Sequence, residues 1–204
     1  MKTMLTRAVV LCALFTLALP LLARGRKAGP TEPGTYKDWG GEVDQLVIES
    51  PFHLSDYQFV RVEEFDTSET PLPEEKDNTY APVKKVLADV STPFVKGLEQ
   101  ELGDRLKIDS STGEPGAGTI VIRGKIETMD PGSKAARYWA GFGAGAARTR
   151  IVGEAIDASS GKVLFHFTQE RRSGVGMMGG DYVGLMDRNL SAIGKDVAGV
   201  LKAF

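Results

Sequence analysis

The sequence predicts an α+β fold in which two amphipathic helices pack on one face of a mainly antiparallel sheet, as a two-layer sandwich. Three observations support this prediction. Four segments alternate apolar and polar residues as half-buried strands do, and two longer segments repeat apolar residues every three or four positions as helices do. The elements follow one another in the order strand, helix, strand, hairpin, helix. Each helix has one apolar stripe, which is what a single sheet face can cover.

The first 25 residues have the layout of a secretory signal peptide. Lys2 and Arg7 precede an apolar run over residues 8–22, and Ala23 and Gly25 place small residues where a signal peptidase reads them. The run is shorter than the ~20 apolar residues of a membrane-spanning helix. We therefore expect an exported chain that is cleaved after Gly25 and has no transmembrane segment in its mature form. An uncleaved membrane anchor is the alternative.

Residues 26–43 are predicted to form a flexible linker, because they contain six Gly and Pro residues and few apolar side chains. Such a linker would hold the following domain away from the membrane or the export site. Residues 44–204 are expected to form a single α+β domain, since their number is usual for one hydrophobic core.

The first half of this domain contains a strand, a loop and a broken helix. After a short apolar stretch at residues 45–49, residues 57–65 alternate as a strand does. Acidic side chains and prolines make residues 66–81 a solvated loop. Residues 82–107 are predicted to be helical in two pieces, because Pro93 follows a Ser-Thr pair and together they form a helix start.

The second half contains the remaining strands and the last helix. Residues 119–128 are predicted to form a strand. Two further strands, residues 149–157 and 162–170, are joined by small polar residues and a glycine at 158–161, which is typical of a hairpin turn. A single apolar stripe over residues 182–204 predicts the last helix.

Composition and charge exclude several classes of function. The chain has 25 Lys and Arg against 27 Asp and Glu, a net charge of -2, which is not the basic field of a nucleic-acid-binding protein. One Cys and two His provide too few ligands for a metal centre. The cysteine, Cys12, follows Leu11 rather than the small residue that precedes a lipidated cysteine, so we do not expect a lipoprotein. We therefore expect no metal, no cofactor and no nucleic-acid partner.

A segment rich in glycine and aromatic residues, together with the glycine-rich loop 173–180 beside it, is the candidate partner-binding surface. Its candidate residues are Arg137, Tyr138, Trp139, Gly141, Phe142, Gly143, Gly145 and Arg148. The glycine spacing matches neither a dinucleotide fingerprint nor a P-loop. On a helix, Gly141 and Gly145 would form a smooth groove flanked by aromatic rings, which suits a partner interface or contact with a membrane surface. Alternatively, the small residues let this segment pass tightly over its own sheet.

Arginines near this segment form a second candidate surface. They are Arg137, Arg148, Arg150, Arg171 and Arg172. If the hairpin lies beside the segment, they would meet phosphate headgroups or an acidic partner. Alternatively, they are the solvated face of two strands.

A catalytic site is not assigned. His53, Ser55 and Asp56 are neighbours in the sequence, but a catalytic triad requires a spatial arrangement and an oxyanion site. We therefore expect a protein that is not an enzyme.

Three motifs follow one another in the second half of the chain: Thr119-Ile-Val-Ile-Arg-Gly-Lys-Ile, Asp130-Pro-Gly-Ser-Lys-Ala-Ala-Arg-Tyr-Trp-Ala-Gly-Phe-Gly-Ala-Gly and Asp157-Ala-Ser-Ser-Gly-Lys-Val-Leu. They resemble an exported bacterial family known as domain of unknown function 4410, over about residues 46–204, and the resemblance implies no established activity. The plan is also distantly similar to the periplasmic domain of the curli secretion channel protein, with Ser160 where that turn has Thr. We do not expect this chain to form a pore as the curli protein does, because its sequence lacks the alternating stretches that are typical of membrane-spanning strands.

Together these observations predict a non-enzymatic exported domain in the periplasm or cell envelope of a bacterium. The domain would bind an envelope protein or assemble with itself as a homo-oligomer. The sequence is also compatible with peripheral contact between this domain and a membrane. The alternative is a periplasmic protein that binds a ligand or lipid headgroup through the arginines. A hydrolase using His53, Ser55 and Asp56 is a remote alternative.

Overall fold

The computed structural model describes residues 28–132, 146–173 and 181–204. Seven strands lie in these ranges: β1 Gly34–Trp39, β2 Val43–Ile48, β3 Phe59–Val62, β4 Lys107–Ile108, β5 Thr119–Asp130, β6 Ala147–Asp157 and β7 Val163–Ser173. The α-helices in these ranges are α1 Tyr80–Leu87, α2 Ser91–Leu102 and α3 Tyr182–Leu201. The α+β class is thus confirmed, and so are the strands and the last helix predicted from periodicity.

All seven strands form one mixed sheet in the order β1-β2-β7-β6-β5-β3-β4. Neighbouring strands pair antiparallel from β1 through β2, β7 and β6 to β5. β3 instead pairs in parallel with both of its neighbours, β5 and β4. The predicted mainly antiparallel sheet is therefore corrected to a mixed sheet. The reason is that α1 and α2 lie between β3 and β4 in the chain, and a helical crossover returns the next strand in the same direction.

The region predicted as a flexible linker contains an edge strand. β1 pairs with β2 along its length, and Trp39 at its end is 3% exposed and donates a hydrogen bond from Nε1 to Pro30 O at 2.8 Å. Gly40 and Gly41 have φ of 60° and 72° and form the turn into β2, a conformation that glycine adopts without strain. The linker prediction for residues 26–43 is therefore wrong from Gly34 onward, because these glycines serve a tight turn.

The predicted break in the first helix is confirmed. α1 ends at Leu87 and α2 begins at Ser91, which places Pro93 in the first turn of α2, where a missing N–H costs nothing. Asp89 Oδ1 accepts a hydrogen bond from Thr92 N at 3.1 Å and satisfies one of the free amides at this helix start.

The helices pack mainly on one another and, through α3, on the sheet. α3 contacts β6 and β7, and α2 contacts α3 and β4. Where α2 and α3 cross, a Cβ at Gly97 would lie 1.9 Å from Ser191 O, and a Cβ at Gly194 would lie 2.1 Å from Phe94 O. The two helices therefore touch through their backbones. That both helices lie on one sheet face stays a prediction.

The core is one continuous cluster of side chains from the sheet and the helices. Phe94 of α2, Phe165 and Phe167 of β7, and Ile193 and Val197 of α3 are among its fully buried members. Within the three described ranges, no helix has the combination of length and apolar character that a bilayer-crossing helix needs.

Candidate functional site

Three neighbouring strands end at the same level of the sheet. The register pairs Asp130, at the end of β5, with Arg148 of β6, and it pairs Ala147, the first residue of β6, with Ser173, the last residue of β7. We call these four residues the sheet end. In the sequence, residues 133–145 lie between β5 and β6, and residues 174–180 follow β7.

One of the predicted contact residues lies at this sheet end. Arg148 is described and lies in β6. The others, Arg137, Tyr138, Trp139, Gly141, Phe142, Gly143 and Gly145, lie outside the described residues. The loop predicted to lie beside them, residues 173–180, is described only at Ser173, which is paired with the first residue of β6.

A buried asparagine connects α3 to the sheet end. Asn189 is 1% exposed. Its Nδ2 donates hydrogen bonds to Ala147 O at 3.3 Å and to Thr149 Oγ1 at 3.4 Å, and its Oδ1 accepts one from Ser173 Oγ at 2.5 Å. One side chain thus connects α3 to the first residue of β6 and the last residue of β7.

A buried carboxylate makes a second connection, further into the sheet. Asp196 is 2% exposed and accepts hydrogen bonds from Gln169 Nε2 at 2.7 Å and from Arg171 Nε at 2.6 Å. The hydrogen bond from Arg171 to the Asp196 carboxylate raises the pKa of Arg171. Gln169 also donates to Glu42 O at 2.7 Å and accepts from Asp44 N at 2.9 Å, which connects the start of β2 to the same network.

We call the residues of these two networks the polar seam: Thr149, Gln169, Arg171, Ser173, Asn189 and Asp196. The sequence analysis missed the seam because the apolar stripe of α3 dominates the pattern. The signal that reveals it is the spacing of Asn189 and Asp196, seven residues apart, which places two polar side chains on the face that the stripe occupies.

The seam also gives the direction of α3. Asn189 meets the strand ends and Asp196 meets β7 further in, so α3 runs antiparallel to β7. Asp181 Oδ1 accepts a hydrogen bond from Val183 N at 3.1 Å and caps the start of the helix.

The arginines of the second candidate surface have carboxylate partners. Pairs with nitrogen–oxygen distances below 4 Å are Arg148–Asp130 at 3.9 Å, Arg150–Glu127 at 2.8 Å, Arg172–Glu170 at 2.6 Å and Arg171–Asp196. Arg137 lies outside the described residues. Four of the five positive charges are thus balanced by neighbours, which weakens the attraction for a phosphate group.

The residues of the remote hydrolase alternative do not form a triad. His53, Ser55 and Asp56 are all exposed at the short 3-10 helix Leu54–Asp56. The hydrogen bond between them is a backbone one, from Asp56 N to His53 O at 3.0 Å. Across the part of the chain that the structure describes, no three His, Cys, Asp or Glu side chains are grouped to hold a metal ion.

A separate groove of about 530 Å³ lies between α1, α2 and α3. Apolar Val86, Pro93 and Val183 line it together with charged residues of both signs. Burial raises the pKa of Asp187 in this groove, and the negative charges of Asp181 and Asp89 raise it further.

The solved structures that resemble this chain include three from different bacteria. The PelC dodecamer from Paraburkholderia phytofirmans is 14% identical with a TM-score of 0.38, and the match covers 74% of this chain and 96% of that chain. The hypothetical protein CT253 from Chlamydia trachomatis is 12% identical with a TM-score of 0.43, covering 72% and 99%. Protein XCC0632 from Xanthomonas campestris, of the family DUF330, is 10% identical with a TM-score of 0.39, covering 72% and 85%. At scores this low, the likenesses carry no conclusion about the function of this chain.

No curated protein matches the sequence. The family model described as domain of unknown function (DUF4410) matches residues 54–177. All three motifs from which the sequence analysis drew its resemblance lie in this range, and that resemblance is confirmed. Because the match spans more than half of the 204 residues, the chain belongs to the DUF4410 family.

Proposed function

We propose that this chain is an exported, non-enzymatic domain of the bacterial cell envelope that binds an envelope protein or assembles with itself at the sheet end. The contact residues of the proposal are those of the segment 137–148 and the loop 173–180. The observation that carries it is that β5, β6 and β7 end at one level, where Asn189 joins β6 and β7 to α3. The strand ends that flank these two glycine-rich segments in the sequence therefore belong to one hydrogen-bonded base.

The residue types of the longer segment support an interface. Tyr138, Trp139 and Phe142 are aromatic, and aromatic side chains are enriched in the buried part of protein interfaces. Among the residues that the structure describes, Leu72 is the one large hydrophobic side chain that is exposed. We therefore assign the apolar part of the contact to the three aromatic residues of the segment.

The export part of the proposal depends on the layout of residues 1–25, with its positive start, apolar run and small residues. It predicts that the protein recovered from the envelope begins at Arg26. The alternative function, binding of lipid headgroups through the arginines, has less support because four of the five arginines face carboxylates.

The proposal is tested with the protein purified from the envelope of the exporting cell. Its mass is measured by light scattering over a wide concentration range, and neighbours in the envelope are captured by crosslinking. We expect a defined oligomer, or a specific crosslinked partner that binds the purified chain. The variant Gly141→Leu with Gly145→Leu should lose that association, because leucine side chains would fill the small-residue surface.

The matched control carries the same chemical change elsewhere. Gly113→Leu with Gly116→Leu adds two leucines where a Cβ meets no atom within 4 Å, and it should associate like the parent. A parent chain that is monomeric at every concentration and has no binding partner contradicts the proposal. Equal association of the Gly141 and Gly145 variant and the control contradicts the assigned surface.

A further inference from the structure

The polar seam lies where apolar side chains would be expected. Asn189 and Asp196 share the face of α3 with Ile193 and Val197, which are fully buried. Removing a polar group from water costs free energy that its hydrogen bonds roughly offset, so apolar residues of similar shape would stabilise the fold at least as well. The seam therefore calls for an explanation other than net stability.

Hydrogen bonds determine position in a way that apolar contacts do not. An apolar stripe tolerates small shifts of a helix along a sheet, whereas an amide loses its bonds when donor and acceptor move apart. A single buried polar residue can specify the register of packed helices for this reason. Asn189 satisfies this description, since its three partners are the backbone of Ala147 and the hydroxyls of Thr149 and Ser173.

The place of these partners distinguishes Asn189 from Asp196. Asp196 contacts Gln169 and Arg171 inside the sheet, whereas Asn189 contacts the first residue of β6 and the last residue of β7. These are two of the four residues of the sheet end.

We propose that Asn189 is the positioning residue of the sheet end: its side-chain amide holds the ends of β6 and β7 at one place relative to α3, so that a partner meets a preorganised base. This inference rests on the proposed function, because it assigns Asn189 a role in that binding site. Preorganisation strengthens binding by removing the cost of ordering the site on contact.

The inference is tested in the full exported chain with two variants and one control. Asn189→Leu removes all three hydrogen bonds, and Ser173→Ala removes only the bond to Asn189 Oδ1, which guards against a failure of the first variant to fold. Ile193→Val is the control, because it removes one buried methylene from the same face of α3 and no hydrogen bond to the strand ends.

The first readout is hydrogen exchange of backbone amides. In Asn189→Leu we expect exchange at residues 147–149 and 171–173 to be about tenfold faster than in the control, since the lost bonds hold these ends closed. Exchange at residues 151–155, in the middle of β6, should match the control. Equal exchange at the strand ends in variant and control, or faster exchange along all of β6, overturns the inference.

The second readout is association, by the light scattering and crosslinking described above. We expect weaker association of Asn189→Leu, a smaller loss in Ser173→Ala and parent-like association of Ile193→Val. A parent that associates and an Asn189→Leu variant that associates equally overturn the positioning role and leave the proposed function standing. A parent that does not associate overturns the proposed function, and the inference with it.

Discussion

Two aspartates show how local partners decide the ionisation of a carboxyl group in this protein. The pKa of Asp109 is lowered, mainly by the hydrogen bond from the backbone amide of Ser111 and also by Arg61. The pKa of Asp187 is raised, first by burial in the groove between the helices and then by Asp181 and Asp89. Hydrogen bonds to the charged form thus stabilise one carboxylate, and desolvation destabilises the other.

The raised pKa of Asp187 predicts a pH-dependent effect of Asp187→Asn. Because its pKa is raised, Asp187 binds its proton more tightly in the folded protein than in the unfolded chain. The protonated residue therefore stabilises the fold below the ordinary Asp pKa of about 4, and this stabilisation is lost as the pH rises through the pKa of the folded protein. At pH 7 the uncharged Asn should increase the free energy of unfolding by less than about 1 kcal/mol, because solvent at this half-buried site screens the charge. At about pH 3.5 the gain should vanish.

Urea unfolding of the parent protein and of Asp187→Asn, at pH 7 and at about pH 3.5, measures the difference in the free energy of unfolding. Glu114→Gln, which removes one exposed acid elsewhere, should leave the free energy of unfolding unchanged. A gain of the same size at both pH values would mean that the charge of Asp187 is not its origin.

At the scale of elements, the crossing of α2 and α3 depends on two glycines. Gly97 and Gly194 face the backbone oxygens of Ser191 and Phe94, at distances that no Cβ could keep. Glycine inside a helix costs roughly 1 kcal/mol relative to alanine. The closeness of the two helices is therefore obtained against helix propensity.

Gly97→Ala should destabilise the protein by about 3 kcal/mol, because the backbone atoms that its methyl group meets cannot move aside without separating the helices. Thermal or urea unfolding measures the change. Gly116→Ala, in a loop where a Cβ meets nothing within 4 Å, is the control and should be neutral or slightly stabilising. If Gly97→Ala instead gains the stability that helix propensity alone predicts, α2 and α3 are not in backbone contact.

At the scale of the whole molecule, two arginines at or near the sheet end are paired with carboxylates, Arg148 across strands and Arg172 within β7. Arg148 faces Asp130, and Arg172 contacts Glu170. Both arginine side chains are partly exposed. If the carboxylate partner were removed, each guanidinium could interact with an anionic surface.

Asp130→Asn with Glu170→Gln should therefore increase binding to phosphatidylglycerol vesicles about thirtyfold, since two cations are released and each cation near such a surface contributes ~1 kcal/mol. Co-sedimentation with the vesicles measures the increase, and high salt should abolish it. Asp104→Asn with Glu114→Gln makes the same change in net charge at exposed positions away from the sheet end. Strong, salt-sensitive binding by the parent chain would favour the lipid-headgroup function over partner binding.

The fold could be predicted from the sequence where the determining pattern is local. The alternation in β5, β6 and β7 and the apolar stripe of α3 lie within single segments, so each can be recognised without its neighbours. Pro93 likewise marks the start of α2 by its own chemistry. The glycines of residues 26–43 led to an incorrect linker prediction, because glycine is common both in flexible linkers and in tight turns.

The sequence by itself determined the α+β class, most of the elements and the membership of the DUF4410 family, because periodicity and motifs are properties of consecutive residues. Only the tertiary structure decided the pairing of β1, the parallel direction of β3, the carboxylate partners of the arginines and the place of Asn189 at the sheet end. The physical reason is distance along the chain. Asn189 and Ala147 are 42 residues apart, and no local pattern records which distant residues the folded chain brings within hydrogen-bonding reach.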